Sequence, residues 1–433
     1  MNPELRRNLW LELSAHRLVA MPAILALVFV LFYVPGRGAD GAGRLLGVAA
    51  GAFVVLVHFW GSKQAAESIT DEMRDRTWDW QRLSSLGPWP MTWGKLVGAT
   101  AFQWYGGAVC LATLMAVGFA TGARDPGWSA LGLAASGLLV HAFMFAASLQ
   151  AARKRPKLGN RVGAILFLPV FVVLALTGAF PSERSGALWF GVERSPIAFV
   201  ALSACAFAAW AVLGAYREMS RELRVLLLPW AYPAFALFVA AYAMGFIPGM
   251  SPWNAFAVAG LASSAALFYY ALFAEHTTAM SLRRLAICVA RADWRRAADA
   301  LPMWAPMVLV VSVFCIAAMR APIPPTGPES SALGAVAIAG ALLVLRDAGI
   351  LVFFALSPSA RRTEAATMLY LALLYWILPG VLTVAGLGRA AGTFFPILFG
   401  GAGAVAGAAV HVAIAWGLAA WRWRRMQERF ARG

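Results

Sequence analysis

Few side chains in this 433-residue sequence are placed to do chemistry. Inside its apolar runs the ionisable candidates are His141 and the adjacent pair Arg346-Asp347. Burying a charge in lipid is costly, so such residues usually face a cavity or protein, and these three are the candidates for lining a polar path. Arg346 sits about 11 residues, or ~16 Å of helix, from the inner end of its run, near mid-membrane. Successive helical residues point about 100° apart, so the pair is not expected to neutralise itself. The cysteines Cys110, Cys205, Cys288 and Cys315 show no CxxC spacing and read as free core thiols. His16, His58, His141, His276 and His411 lie too far apart for a local ligand motif, so no metal is assigned. The longest polar segment of the first half is different in kind: residues 71 to 98 read DEMRDRTWDWQRLSSLGPWPMTWGKLVG, with charges of alternating sign.

These residues must be held by membrane helices. The chain is 61% hydrophobic and 13% charged, where a soluble domain carries about a quarter charged residues. Apolar runs long enough to cross about 30 Å of hydrocarbon recur twelve times. They lie near residues 18 to 35, 44 to 60, 95 to 120, 129 to 150, 162 to 180, 195 to 215, 225 to 247, 253 to 274, 301 to 319, 331 to 356, 366 to 388 and 392 to 420. The first has no cleavage pattern after it and reads as a retained span. A net charge of +16 raises the question of a nucleic-acid partner. With the N-terminus inside, however, 28 of the 36 Lys and Arg fall in cytoplasmic segments, 7 in outer loops and 1 within a span. That is the positive-inside bias, so the expected partner is a lipid bilayer, not nucleic acid. The location expected is a bacterial-type cytoplasmic (inner) membrane, multi-pass, with both termini cytoplasmic. Trp60, Trp128, Trp189, Trp230, Trp253 and Trp421 flank spans as interface anchors.

The chain echoes itself. Trp210-AVLGA-Tyr216-Arg217 is matched by Trp416-GLAA-Trp421-Arg422, and Ser129-Ala-Leu-Gly132 by Ser331-Ala-Leu-Gly334, at nearly equal offsets. The expected fold class is an all-α polytopic membrane protein of about 12 transmembrane helices in two parallel six-helix repeats. The halves are 1 to 215, with a cytoplasmic loop at 61 to 95, and 216 to 433, with a matching loop at 275 to 300.

Residues 63 to 86 contain neither Pro nor Gly, which permits a helix, and Gly87-Pro88-Trp89-Pro90 should then end it sharply. At this stretch the sequence resembles the membrane subunits of ATP-binding-cassette type-2 exporters. The features that match are Glu72, Thr77-Trp78, the run Gln81-Arg82-Leu83-Ser84-Ser85-Leu86, Pro88 and Gly94-Lys95-Leu96 entering the next span. Arg76 departs from the pattern, since the family usually has Gly before the Thr, which makes a less tight local backbone the expectation. The N-terminal PELRRNLWLEL resembles an amphipathic helix on the inner surface, and PSERSGALWFGVERSP at 181 to 196 resembles the family's short re-entrant helices.

The resemblance implies a permease subunit whose loops receive the motion of a separate ATPase, expected in two copies that bind ATP and Mg. The residues implied in coupling are Glu72, Arg76, Thr77, Trp78, Gln81, Arg82, Leu83, Pro88, Trp89, Pro90, Gly94 and Lys95. In the second loop they are Arg283, Arg284, Arg291, Trp294 and Arg295, although that loop lacks the acidic-to-Thr-Trp pattern. Trp78 is the expected aromatic anchor for the partner. No catalytic residue is assigned to the chain. The only Gly-Lys pair is Gly94-Lys95, followed by Leu96 and preceded five residues earlier by Trp89, so no phosphate-binding GxxxxGK[ST] is present. The rival reading is a twelve-span secondary transporter of the major facilitator type, driven by an ion gradient. Its short loop after the second span differs from the long loops here. A membrane-embedded enzyme would need a compact ionisable motif, and none is found.

Overall fold

In lipid a backbone has no hydrogen-bond partner but itself, which drives apolar runs into helix. The computed structural model describes residues 2–36, 38–154, 187–275, 277–319, 332–357, 363–394 and 402–432. Among these residues nine helices are long and apolar enough to cross a membrane, or ten if one sharply bent pair is a single span. The chain is therefore an all-α polytopic membrane protein. The expected run at 162 to 180 lies outside the described residues.

The chain divides into two compact units, Met1–Leu188 with Val192–Val225, and Trp189–Gly191 with Leu226–Gly433. The first begins with α1 (Pro3–Glu12), whose N-cap Asn2 accepts from the Glu4 amide, and α2 (Ala15–Tyr33). Then comes α3 (Gly38–Arg74), 37 residues with a π-helical stretch at Val54–Gly61. At 1.5 Å per residue it is ~56 Å long, well beyond the hydrocarbon, so its polar end stands clear of the membrane. Short helices α4 (Trp78–Arg82) and α5 (Pro88–Gly98) follow, then α6 (Ala101–Thr121), α7 (Pro126–Lys154) and α8 (Pro196–Glu222). The N-terminal part of α3 packs on α2 and α6 around Met21, Leu25, Phe53, Val57 and Leu114. Its C-terminal part packs on α7, which runs along α8 and buries Ile69, Phe145, Leu149 and Met219.

The second unit contains α9 (Ala231–Met244), α10 (Pro252–Ala274), α11 (Ala279–Ala290), α12 (Trp294–Ala300) and α13 (Trp304–Ala318). After them come α14 (Ala332–Ala355), α15 (Thr363–Ala372, continuing through a π stretch at Leu373–Ile377 into Leu378–Val384), α16 (Gly388–Ala391) and α17 (Ala402–Arg432). Here α10 packs on α9 and α13, α13 on α14, and α14 on α17, around Phe268, Leu272, Met307, Val311 and Leu351.

Four local expectations are corrected. The helix expected over 63 to 86 stops at Arg74, because the chain turns left-handed at Arg76 (φ 59°). The Thr77 amide bonds the Glu72 carbonyl (2.9 Å) and the Arg76 amide that of Met73 (3.3 Å), a Schellman closure. Second, Pro88 does not end a helix but starts α5, where its fixed φ and missing N–H suit the first turn. Third, the run at 225 to 247 yields only the 14 residues of α9, since Pro229 disfavours helix at Leu228 and has no amide to donate. Fourth, the described part of 181 to 196 is no re-entrant helix. It is a hairpin, β1 (Ala187–Trp189) and β2 (Val192–Arg194), turned by Phe190 and Gly191 at positive φ.

Candidate functional site

The family-like residues meet at the end of α3. Lys95, on α5 and 1% exposed, pairs with Glu72 and with Glu4 Oε1 (3.1 Å). Glu72 also accepts from Gln81 Nε2 (2.7 Å) and Arg7 Nη2 (2.5 Å). The ammonium lies 5.4 Å from the Trp78 ring. Glu72, Gln81 and Lys95 thus form one ionic node, and α1 completes it. The seat for α1 is made by glycine: a Cβ on Gly94 would stand 2.7 Å from Glu4 Cβ, and one on Gly98 2.8 Å from Asn8 Cβ. Asn8 Nδ2 donates to the Gly94 carbonyl (3.2 Å), and Asn2 Nδ2 to that of Pro90 (2.6 Å). Sequence reading missed Glu4, Arg7, Asn8 and Gly98, although the spacing Gly94-x-x-x-Gly98 was a signal of close helix approach.

Trp78, the expected aromatic anchor for the partner, is 3% exposed and packs among Ile69, Met91, Leu96 and Phe145, so in this fold it is a core residue. Its Nε1 donates to Glu222 Oε1 (3.3 Å), which also pairs with Arg82 Nη1 (3.5 Å). The exposed large apolar side chains of this segment are Trp80 (78%), Leu83 (81%) and Trp89 (49%). Thr77 Oγ1 donates to the Glu72 carbonyl (3.3 Å), closing the turn. Trp89 stacks on Trp93 (5.8 Å) and meets Tyr216 edge-on (5.8 Å). Arg76 stands exposed at the left-handed turn.

The second loop has the same turn in other residues. Ala292 is left-handed (φ 54°), and the amides of Ala292 and Asp293 bond the carbonyls of Val289 and Cys288 (both 3.0 Å). Asp293 then caps α12 through the Arg296 amide (3.2 Å). Arg76 and Ala292 thus close their helices by the same left-handed turn before a Trp, while Thr77 (ψ −18°) and Asp293 (ψ 77°) differ in backbone and only Asp293 caps the next helix. The tryptophans differ, because Trp294 is 67% exposed. Arg284 pairs with Asp299 (3.4 Å), while Arg291 and Arg295 are exposed and have no ion-pair partner among the described residues. The half-buried acid here, Glu275, accepts from the Met303 amide at the start of α13 and has no ion-pair partner among the described residues. Helices α12 and α13 meet at 87°.

The mid-span candidates belong to different units, His141 to the first and Arg346-Asp347 to the second. In the first unit His141 Nε2 bonds the Val57 carbonyl (2.7 Å) inside the π stretch, packed so closely on Gly61 that a Cβ there would strike the ring. His58 Nε2 meets Ser136 Oγ (2.9 Å). His141 therefore supports the irregular backbone of α3. In the second unit the expectation that Arg346 and Asp347 ignore each other is corrected. Arg346 Nε donates to Asp347 Oδ1 (2.7 Å), since a long guanidinium stem can curl across the angle between neighbours. Tyr269 and Tyr375 both donate to Asp347 Oδ2 (2.7 Å each), and Arg346 Cζ lies 4.7 Å from the Tyr375 ring. Tyr375 belongs to the second π stretch, an irregularity frequent at functional sites. Among the described residues no three His, Cys, Asp or Glu side chains are grouped to hold a metal.

Comparison with protein-family models, with curated proteins and with solved structures gives no match for this chain.

Proposed function

We propose that this chain is the membrane-spanning permease subunit of an ATP-binding-cassette type-2 exporter in a bacterial-type cytoplasmic membrane. A separate ATPase subunit, in two copies, binds ATP and Mg and drives export through cytoplasmic loops 61 to 95 and 275 to 300. The observation that carries this reading is the node of Glu72, Gln81 and Lys95. It fixes the end of a helix reaching beyond the membrane to α5 and α1, while α4 presents Trp80 and Leu83 outward. A rigid lever with an apolar tip suits the transmission of a partner's motion. Two parallel six-span halves are supported by the shared packing order: α3 on α6 and α7 on α8 in one unit, α10 on α13 and α14 on α17 in the other.

The test is reconstitution. The chain is purified under mild crosslinking, its companions are identified by mass spectrometry, and transport is assayed in vesicles with ATP or with a proton gradient. Co-purification of a P-loop ATPase and ATP-dependent transport are the expected results. Transport by the chain alone on an ion gradient would overturn the reading in favour of a secondary transporter.

A further inference from the structure

In the second unit one carboxylate ties three helices together. Asp347 on α14 is fully buried and takes three hydrogen bonds of 2.7 Å each: Arg346 Nε donates to Oδ1, and the hydroxyls of Tyr269 on α10 and Tyr375 on α15 both donate to Oδ2. A carboxylate oxygen has two lone pairs, so Oδ2 is full. The guanidinium is not. Arg346 is buried too, yet its Nη1 and Nη2 have no hydrogen-bond partner among the described residues. The planar guanidinium suits two parallel bonds to a carboxylate, one to each oxygen. Here only the Nε half of that fork is made, because the tyrosines hold the oxygen that an Nη would take.

Of the three helices, α15 is lightly packed. No residue of its π stretch, Leu373–Ile377, is buried, and Trp376 and Val384 are 78% and 91% exposed. A groove of about 740 Å³ separates it from α10 and α13, with Leu261, Val311, Leu343 and Leu371 among its lining residues. Few buried contacts mark a segment of low local stability, and the void leaves it room to move. We propose that Asp347 is a hydrogen-bond exchange switch that holds and releases α15. When the Tyr375 hydroxyl leaves Oδ2, an Nη of Arg346 takes its place and completes the bidentate pair, and α15 moves away from α10 and α13. Asp347 keeps three donors in both states, and a buried donor of a charged group gains a partner. The cost falls on the freed phenol, a neutral group, which is smaller than the cost of an unpaired charged one. The π stretch that carries Tyr375 supplies the irregular turn at which the helix can rewind. The device lies wholly within the second unit and does not depend on an ATPase partner.

The experiment places spin labels at Leu309 on α13 and Ile377 on α15, both exposed, in the full chain with its four cysteines replaced by alanine, held in lipid nanodiscs. Pulsed electron resonance then reads the distribution of distances between them, and the parent should show one dominant short distance. Tyr375→Phe keeps the ring beside which Arg346 Cζ lies at 4.7 Å and removes only the hydroxyl. The ratio of longer to shorter distance should therefore rise tenfold or more, the scale of one hydrogen bond to a charged group. Tyr269→Phe frees a place on the same oxygen without releasing α15 and should leave the distances as they were. Adding Arg346→Lys to Tyr375→Phe keeps the positive charge but supplies one nitrogen where the fork needs two, so the longer distance should decline several-fold. All variants should keep the parent's gel-filtration profile. A single unchanged distance in Tyr375→Phe, an equal shift in Tyr269→Phe, or a longer distance indifferent to Arg346→Lys would each overturn the proposal.

Discussion

Arg76 occupies a left-handed position that Gly tolerates without strain, and it is the residue at which the stretch departs from its family-like pattern. The turn forms despite Arg because the two Schellman bonds and the node below it over-determine the backbone. Arg76→Gly should therefore stabilise the folded protein by about 0.5–1 kcal/mol, strain relief less the added freedom of the unfolded chain, read as a higher thermal midpoint. The tight turn thus replaces the looser backbone expected from the missing Gly. At Lys95 the sign is opposite. Lys95→Met leaves Glu4 and Glu72 with the half-exposed Arg7 as their remaining cation, so the loss should stay below the roughly 3–5 kcal/mol of a buried pair broken with no compensation. Adding Glu4→Gln should recover part of the loss, which a double-mutant comparison of midpoints would show. Glu72, Gln81 and Lys95 were legible as one motif because they are close in sequence. Glu4 and Glu222 were not, because their contacts to Glu72's neighbours span long stretches of chain, and nothing local marks which acid a lysine will reach.

At the scale of elements, apolar runs announced the helices, and local backbone chemistry decided where each one stopped. The span at 253 to 274 and helix α10 nearly coincide, capped by Ser251 at its N-terminus. The stretch at 63 to 86 failed as a single helix because a left-handed Arg carries no sequence signal of its own, whereas a Gly there would have. Direction was also hidden. Within α4, Trp78 and Trp80 are two residues apart and so point to different faces, and only packing shows that Trp78 faces inward. That reversal changes the expected mutant behaviour. Trp78→Ala should destabilise the protein by about 3–5 kcal/mol, the ordinary loss for a buried aromatic, and should lower yield before it affects any partner. Trp80→Ala should leave the thermal midpoint unchanged and weaken association with the ATPase roughly tenfold or more, as for a truncated interface aromatic. A folded, fully assembling Trp80→Ala would remove α4 as the contact.

For the whole molecule, two loops that share a left-handed turn carry different charge. Residues 63 to 95 hold five basic and five acidic side chains, and Glu275 to Ala300 hold five Arg against three acids. In the first loop Glu72 and Lys95 are turned inward on the node, and Trp80 and Leu83 stand out among exposed charges of both signs, Arg74, Asp75, Arg76 and Asp79. In the second, Arg291 and Arg295 stand exposed beside Trp294. If two identical ATPase copies dock on these surfaces, one contact is charge-balanced around an apolar centre and the other carries a net basic charge. Salt separates them, because exposed charges are screened within about 8 Å at physiological ionic strength and about 3 Å at 1 M, while apolar burial is not weakened in that way. The double variant Arg291→Gln, Arg295→Gln should therefore reduce ATPase association several-fold at low salt and scarcely at all near 1 M. Trp80→Ala should reduce it by a similar factor at both. Binding measured by surface immobilisation of the full chain, with the ATPase titrated at each salt concentration, gives the comparison directly. An equal salt response for the two variants would show that the loops dock alike, and the unlike surfaces would then belong to something other than partner recognition.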